Sequence, residues 1–200
     1  MTTKPLFVSY YTPDYKEKAK GLMRSMRKLD LEFDVRAIEE KGSWQKDSQY
    51  KAKFMWDMLT ENFDRSKGVG RPLVWVDADA EILHRPVQFF RGDTDFAAVE
   101  WKHPNIDKTE LLSGTLYFAN NVKCHRLVDA WVEECAAKPD DWDQRCLRRA
   151  LNRFADDGLR ITFLPVTYCF IFDIHRQIYP QIDPIICHYQ ASREAKLRKP

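Results

Sequence analysis

The sequence predicts an α/β layer sandwich, and three observations carry that prediction. Runs of β-forming residues alternate with stretches of helical spacing along the chain, the pattern that lays helices over a sheet. One run, Leu73-Val74-Trp75-Val76, is apolar at every position, as in a strand covered on both faces inside a parallel sheet. The length of 200 residues suits one domain spanning 1–200, or one domain with a small extension, and exceeds the size at which a single core becomes marginal.

Composition removes several classes. With 44% hydrophobic and 31% charged residues, the chain lacks the signature of disorder, and its longest apolar run is too short to cross a bilayer. Met1-Thr2-Thr3-Lys4-Pro5 has no apolar core of a secretory signal, which predicts a cytoplasmic protein. Cys124, Cys135, Cys146, Cys169 and Cys187 are never closer than eleven apart, so they read as buried thiols and not as a zinc or disulfide framework. The formal charge of +2 does not announce a nucleic-acid binder. Lysines and arginines crowd one early helix, from Lys16 to Lys28, and the tail 193–200; a solvated face and a frayed end are the simpler account of both.

In order, Leu6-Phe7-Val8 opens a strand that runs into Ser9-Tyr10-Tyr11-Thr12. Thr12-Pro13 reads as a helix start, hydroxyl cap followed by proline, and Ala19, Leu22, Met23, Met26 and Leu29 mark one buried helical face. A first strand-to-helix turn of this kind commonly holds a nucleotide; Tyr10 or Tyr11 would stack on its base, or merely cover the sheet edge. Residues 33–38 alternate as a second strand, and a second helix buries Phe54, Met55, Met58 and Leu59, with Lys51 and Lys53 near its start, where cations oppose the macrodipole. Residues 64–71 form a flexible connector to the central strand, and residues 80–86 turn away from it. Phe96-Ala97-Ala98-Val99 is another strand, residues 104–110 a mobile loop, and Ser113-Gly114 the entrance to strand 115–119, where glycine permits close approach of a ligand or a bulge. Two further helices follow, the second capped by Asp140 or Asp141. Residues 161–164, 169–172 and 185–188 are late strands.

The chemistry gathers at Asp77 and Asp79. On an extended backbone their side chains point the same way, about 7 Å apart at Cα, at the strand end where open α/β sheets bind ligands. Hard carboxylate oxygens suit Mg²⁺ or Mn²⁺, with water and substrate phosphates completing the shell. His188, at the end of another apolar strand, is either structural or a third ligand, and an imidazole would tilt the preference toward Mn²⁺.

An apolar strand ending in Asp77-Ala78-Asp79 resembles the DxD signature of GT-A-fold, nucleotide-diphospho-sugar glycosyltransferases. Other elements fall in that family's order: Ser9-Tyr10-Tyr11-Thr12, the Tyr50-Lys51-Ala52-Lys53-Phe54 helix, Ser113-Gly114-Thr115, Trp142-Asp143-Gln144 and late His188. The likeness is to compact bacterial or viral members. It implies a GT-A-like, Rossmann-like three-layer sandwich with a mostly parallel central sheet, a nucleotide-sugar donor such as a UDP-sugar, and a Mn²⁺ or Mg²⁺ cofactor. By the same resemblance Ser9 to Thr12 would hold the nucleoside. Asp77 and Asp79 would hold metal and ribose with His188 as a further metal ligand, Lys51 or Lys53 would face the donor, and Arg193 or Lys196 would cover the diphosphate.

Expelling a nucleoside diphosphate demands stabilisation of its growing charge, from the cation and a basic side chain. An inverting enzyme also needs a carboxylate base, with Asp143 and Glu100 the candidates. A retaining one, favoured by the His188 likeness, would keep Asp143 or Gln144 beside the sugar, although Asp143 could equally serve only the helix dipole. A metal-dependent nucleotidyltransferase or phosphohydrolase would show more carboxylates or a glycine-rich loop, and a binding module that kept the scaffold is the non-enzymatic alternative. The acceptor is left open as a sugar, a lipid head, a protein or a modified base in DNA.

Overall fold

The structure, a computed structural model, describes residues 4–154 and 158–189. In chain order its elements are β1 (Leu6–Tyr11), α1 (Lys16–Lys28), β2 (Phe33–Ala37), α2 (Trp44–Glu61), β3 (Phe63–Asp64), β4 (Val69–Gly70), β5 (Leu73–Val76), β6 (Ala80–Ile82), β7 (Phe96–Lys102), β8 (Thr109–Phe118), α3 (Val122–Ala137), α4 (Asp143–Arg153), β9 (Ile161–Leu164), β10 (Phe170–Ile171), α5 (Phe172–Ile178) and β11 (Ile186–His188).

Six strands make the main sheet, in the order β2-β1-β5-β8-β7-β9. β1 is parallel to β2 and β5, β7 is parallel to β9, and β8 alone runs against its neighbours. The mostly parallel α/β sandwich expected from the sequence is therefore the fold. β5 is its pivot: Leu73 and Trp75 enter the core shared with α2, α3 and α4, while Val74 and Val76 enter the core shared with α1 and β6. Each such burial contributes about 1.5–3 kcal/mol, which is why the continuous apolar run reads as a strand with two covered faces. All five cysteines are buried and free.

Several local expectations are corrected. The segment after Asp79 does not turn away, because Ala80 and Ile82 bury the same face. It forms β6 and pairs with β11 in the register His188↔Ala80, stitching the last strand beside Asp79. The connector before β5 is ordered as the β3–β4 hairpin. Thr12 offers no side-chain cap and precedes a 3₁₀ turn over Pro13–Tyr15, so α1 begins only at Lys16. The N-cap of α4 is Trp142, whose backbone N–H donates to Asp141 Oδ1 at 2.9 Å. Of the strand expected over residues 169–172, Phe170–Ile171 forms β10, while Phe172 instead opens the helix α5, which runs to Ile178. Ser43 and Asn121 do cap α2 and α3, accepting from Lys46 and Cys124 backbone N–H groups.

No helix among the described residues is long and apolar enough to cross a membrane.

Candidate active site

A cavity of about 480 Å³ opens beyond the carboxyl ends of β1 and β5, and it is lined by Asp77, Asp79, Ser113, Gly114, Asp143 and His188 among others. Asp77 and Asp79 are not on extended backbone. β5 stops at Val76, Asp77 N–H donates to Gly114 O at 2.9 Å, and Ala80 N–H donates to Asp77 O at 3.1 Å. A tight turn, and not strand alternation, makes the two carboxylates converge.

The β6–β11 pairing adds His188. Donor atoms of Asp77, Asp79 and His188 all lie within 4.8 Å of one another. Burial pushes the His188 imidazole down to about 4, against the opposing pull of Asp77, so it is neutral at pH 7 as a metal ligand must be. Its Nε2 lies 2.9 Å from Thr115 Oγ1, and a Cβ on Gly114 would come within 2.8 Å of its ring. Gly114 therefore makes room for an imidazole, not only for a ligand. Two carboxylates and one neutral imidazole form a donor set that fits Mn²⁺ or Mg²⁺.

Lys51 ties this group to α4. Its Nζ lies 2.9 Å from Asp77 Oδ1 and 3.0 Å from Asp143 Oδ2, and it donates to Ser113 O at 3.2 Å. Burial works against its charge, but Asp143 and Asp77 outweigh burial and hold the ammonium well above its ordinary range. Trp75 Nε1 also donates to Asp77 Oδ1 at 2.8 Å; with both contacts on Oδ1, Oδ2 is the oxygen that remains for a cation. Asp143 is buried, accepting from Ser48 Oγ on Oδ1 and from Ser113 Oγ on Oδ2 at 2.8 Å.

A β-bulge arranges these partners. Opposite β7, Ala98 faces Leu116 but Val99 faces Leu112, so Ser113, Gly114 and Thr115 fall in the register shift. A bulge re-aims side chains: Ser113 meets Asp143, Gly114 admits His188, and Thr115 holds it. The Ser113-Gly114 step thus sits inside β8, not at its entrance.

The other residues singled out in the sequence divide. Tyr11, Thr12 and Gln144 line the cavity, as does Tyr10. The Tyr10 ring is committed to a cluster with Tyr50, Phe54 and Trp75, and its hydroxyl donates to Asp47 O at 2.5 Å. Ser9 is fully buried between strands with its hydroxyl unpartnered, away from the cavity. Lys53 points outward to Asp57 and the Trp56 ring, and with α2 starting at Trp44 neither lysine is in the first turn, so the macrodipole argument fails for both. Glu100 pairs with Arg148 at 2.5 Å and does not line the cavity. Arg193 and Lys196 lie outside the described residues.

Among the lining residues that escaped the sequence reading are Tyr15, Trp44, Asp47, Ser48 and Trp142 as a side chain. Ser48 carried a signal, since it lies three before Lys51 and so shares its helical face. Burial, then the charges of Asp79 and Asp77, hold the Tyr15 hydroxyl far above its usual range, which keeps it a neutral hydrogen-bonding group.

Among solved structures the chain is similar to a glycosyltransferase involved in the glycosylation of the major capsid of PBCV-1, with TM-score 0.71, 10% identity and 96% of each chain covered. It is also similar to the glycosyltransferase GlyE of Streptococcus pneumoniae TIGR4 in its apo form, with TM-score 0.61 and 12% identity, 94% of this chain covering 54% of that one. The WbbM bifunctional glycosyltransferase gives TM-score 0.54 at 12% identity, covering 96% of this chain and 46% of that one. These likenesses show the fold. A search of curated proteins gave no match. The family model described as nucleotide-diphospho-sugar transferase matches residues 38–199, and the chain belongs to that family.

Proposed function

We infer that the protein transfers a sugar from a UDP-sugar to an acceptor hydroxyl, with Mn²⁺ or Mg²⁺ held by Asp77, Asp79 and His188, and with retention at the anomeric carbon. The observation that carries this reading is the convergence of those three residues within 4.8 Å at the wall of a cavity that also holds the Lys51–Asp143 pair. A divalent ion bound there would supply Lewis-acid neutralisation of the departing diphosphate. Tyr11 and Tyr15 offer the end of β1 as the nucleoside wall, and Arg193 and Lys196 remain candidates for covering the phosphates.

Retention is supported by what the carboxylates are doing. Asp143 has both oxygens engaged by Ser48, Ser113 and Lys51, and Glu100 is bound to Arg148. Asp143 is thus committed to three donors and Glu100 lies outside the cavity lining, which disfavours either as the base that takes a proton from an acceptor. A donor phosphate oxygen takes that proton instead, while Asp143, fixed by three partners, orients Gln144 and the sugar through the first turn of α4. Lys51 holds Asp77 and Asp143 at set positions and keeps their charges from repelling one another.

The test is calorimetry with UDP in the presence and absence of Mn²⁺, followed by release of UDP from a panel of UDP-sugars. Mn²⁺-dependent binding with release supports a transferase. Binding without release of UDP from any sugar points to a binding module, and no Mn²⁺-dependent binding removes the metal assignment.

A further inference from the structure

At the cavity mouth, the rings of Trp44 and Trp142 meet edge to face with centroids 6.1 Å apart. Both line the cavity, and Trp142 is 40% exposed. Their position relative to Asp143 is fixed. Trp44 and Ser48 are one turn apart on α2, Ser48 donates to Asp143, and Trp142 directly precedes Asp143. Trp44 is therefore one helical turn, about 5.4 Å along α2, from the serine that holds the carboxylate, a span comparable to one sugar ring, and Trp142 is the residue next to Asp143 itself. The Arg145 guanidinium lies 4.7 Å from the Trp142 ring centroid and pairs with Asp141.

Charge narrows what fits there. Among the described residues, the cavity lining holds the carboxylates Asp47, Asp77, Asp79, Glu110 and Asp143 against the ammonium groups Lys51 and Lys108. Even with a divalent cation bound the wall stays anionic, and a bound diphosphate makes it more so. A polyanion such as DNA would be repelled from this mouth. A neutral polyhydroxyl ring is not, and its apolar C–H face suits the electron-rich face of an aromatic ring while its hydroxyls stay in water.

We propose that Trp44 and Trp142 form the acceptor subsite, and that the acceptor is the neutral saccharide end of a glycan. This rests on the sugar-transfer reading of the cavity. In the transfer the acceptor hydroxyl oxygen forms a bond to the anomeric carbon, the bond from that carbon to the phosphate oxygen breaks, and the hydroxyl proton leaves on the phosphate.

The experiment measures saturation-transfer NMR of the methyl glycosides of glucose, galactose, mannose, xylose, rhamnose and fucose on the full chain, with calorimetry of UDP plus Mn²⁺ in parallel. Wild type is expected to give a signal with at least one glycoside and none with a duplex oligonucleotide containing 5-hydroxymethylcytosine. W44A and W142A are expected to lose the glycoside signal while UDP affinity stays within about threefold, and W142F to restore most of it, which separates ring stacking from loss of fold. No glycoside signal in wild type, an unchanged signal in both alanine variants, or a UDP affinity that falls tenfold with them overturns the assignment. Loss of UDP–Mn²⁺ binding in wild type itself would instead sink the donor reading while the glycoside signal still decides the subsite.

Discussion

Lys51 Nζ and Asp77 Oδ1 lie 2.9 Å apart, and the lysine side chain is only 6% exposed. A buried ammonium of this kind is tolerated because Asp77 and Asp143 flank it; removing it leaves Asp143 buried without a counter-charge. Lys51→Met is expected to cost about 3 kcal/mol of stability, read as a lowered urea midpoint, together with loss of UDP release. A midpoint unchanged from wild type would show that the pair is not buried as described.

Gly114→Ala places a methyl 2.8 Å from the His188 ring and 3.0 Å from Cys169 Sγ. Something must shift, and His188 sits in the cluster with Asp77 and Asp79 while Cys169 is packed in the core. Mn²⁺ affinity in the presence of UDP is expected to fall at least tenfold in calorimetry, with a melting temperature only a few degrees lower. Equal affinity would mean that His188 does not contribute to metal binding.

How far the site could be read from the chain follows from which contacts are local. Leu73 to Asp79 announced a doubly covered strand ending in paired acids because both signals lie within one short stretch. The turn that converges Asp77 with Asp79, and the β6–β11 pairing that brings in His188, depend on long-range register that no local pattern encodes. The strand read over residues 169–172 is realised at Phe170–Ile171, but α5 has only 7 residues, too few for a helical period to stand out in the sequence, so it was missed. The bulge at Ser113 to Thr115 showed only as a glycine with two readings, and the structure realises the bulge with an imidazole in the space left open. Trp44 and Trp142 lie on separate elements, and nothing short of the α2–α4 seam reveals that they meet.

Asp79 is half-buried on a turn, not in the core. Asp79→Asn keeps the size of the side chain and removes its charge, so stability should change by about 0.5 kcal/mol or less. UDP release is nevertheless expected to fall at least a hundredfold, since a neutral amide is a far poorer partner for a divalent ion than a carboxylate. Near-wild-type turnover in this variant, measured at saturating Mn²⁺, would remove Asp79 from the metal group.

A second buried acid, outside the cavity, sets the behaviour in acid. Burial alone would raise the Asp95 carboxyl, but the Arg160 guanidinium, the Arg160 backbone N–H and the Asn121 amide outweigh it and hold it at about 2. The ordinary carboxylate value is about 3.9. Because the folded value is the lower one, Asp95 stabilises the fold above about pH 4, and the contribution is lost as pH falls from there toward 2; it is worth roughly 2 kcal/mol at neutral pH. Asp95 joins the N-cap residue of α3 to the residue before β9, so the loss loosens the edge of the sheet and not the cavity. Urea midpoints of wild type and Asp95→Asn are therefore expected to differ at pH 7 and to draw together by pH 2.5. A gap that stays constant over that range would show that the carboxylate does not carry this stability.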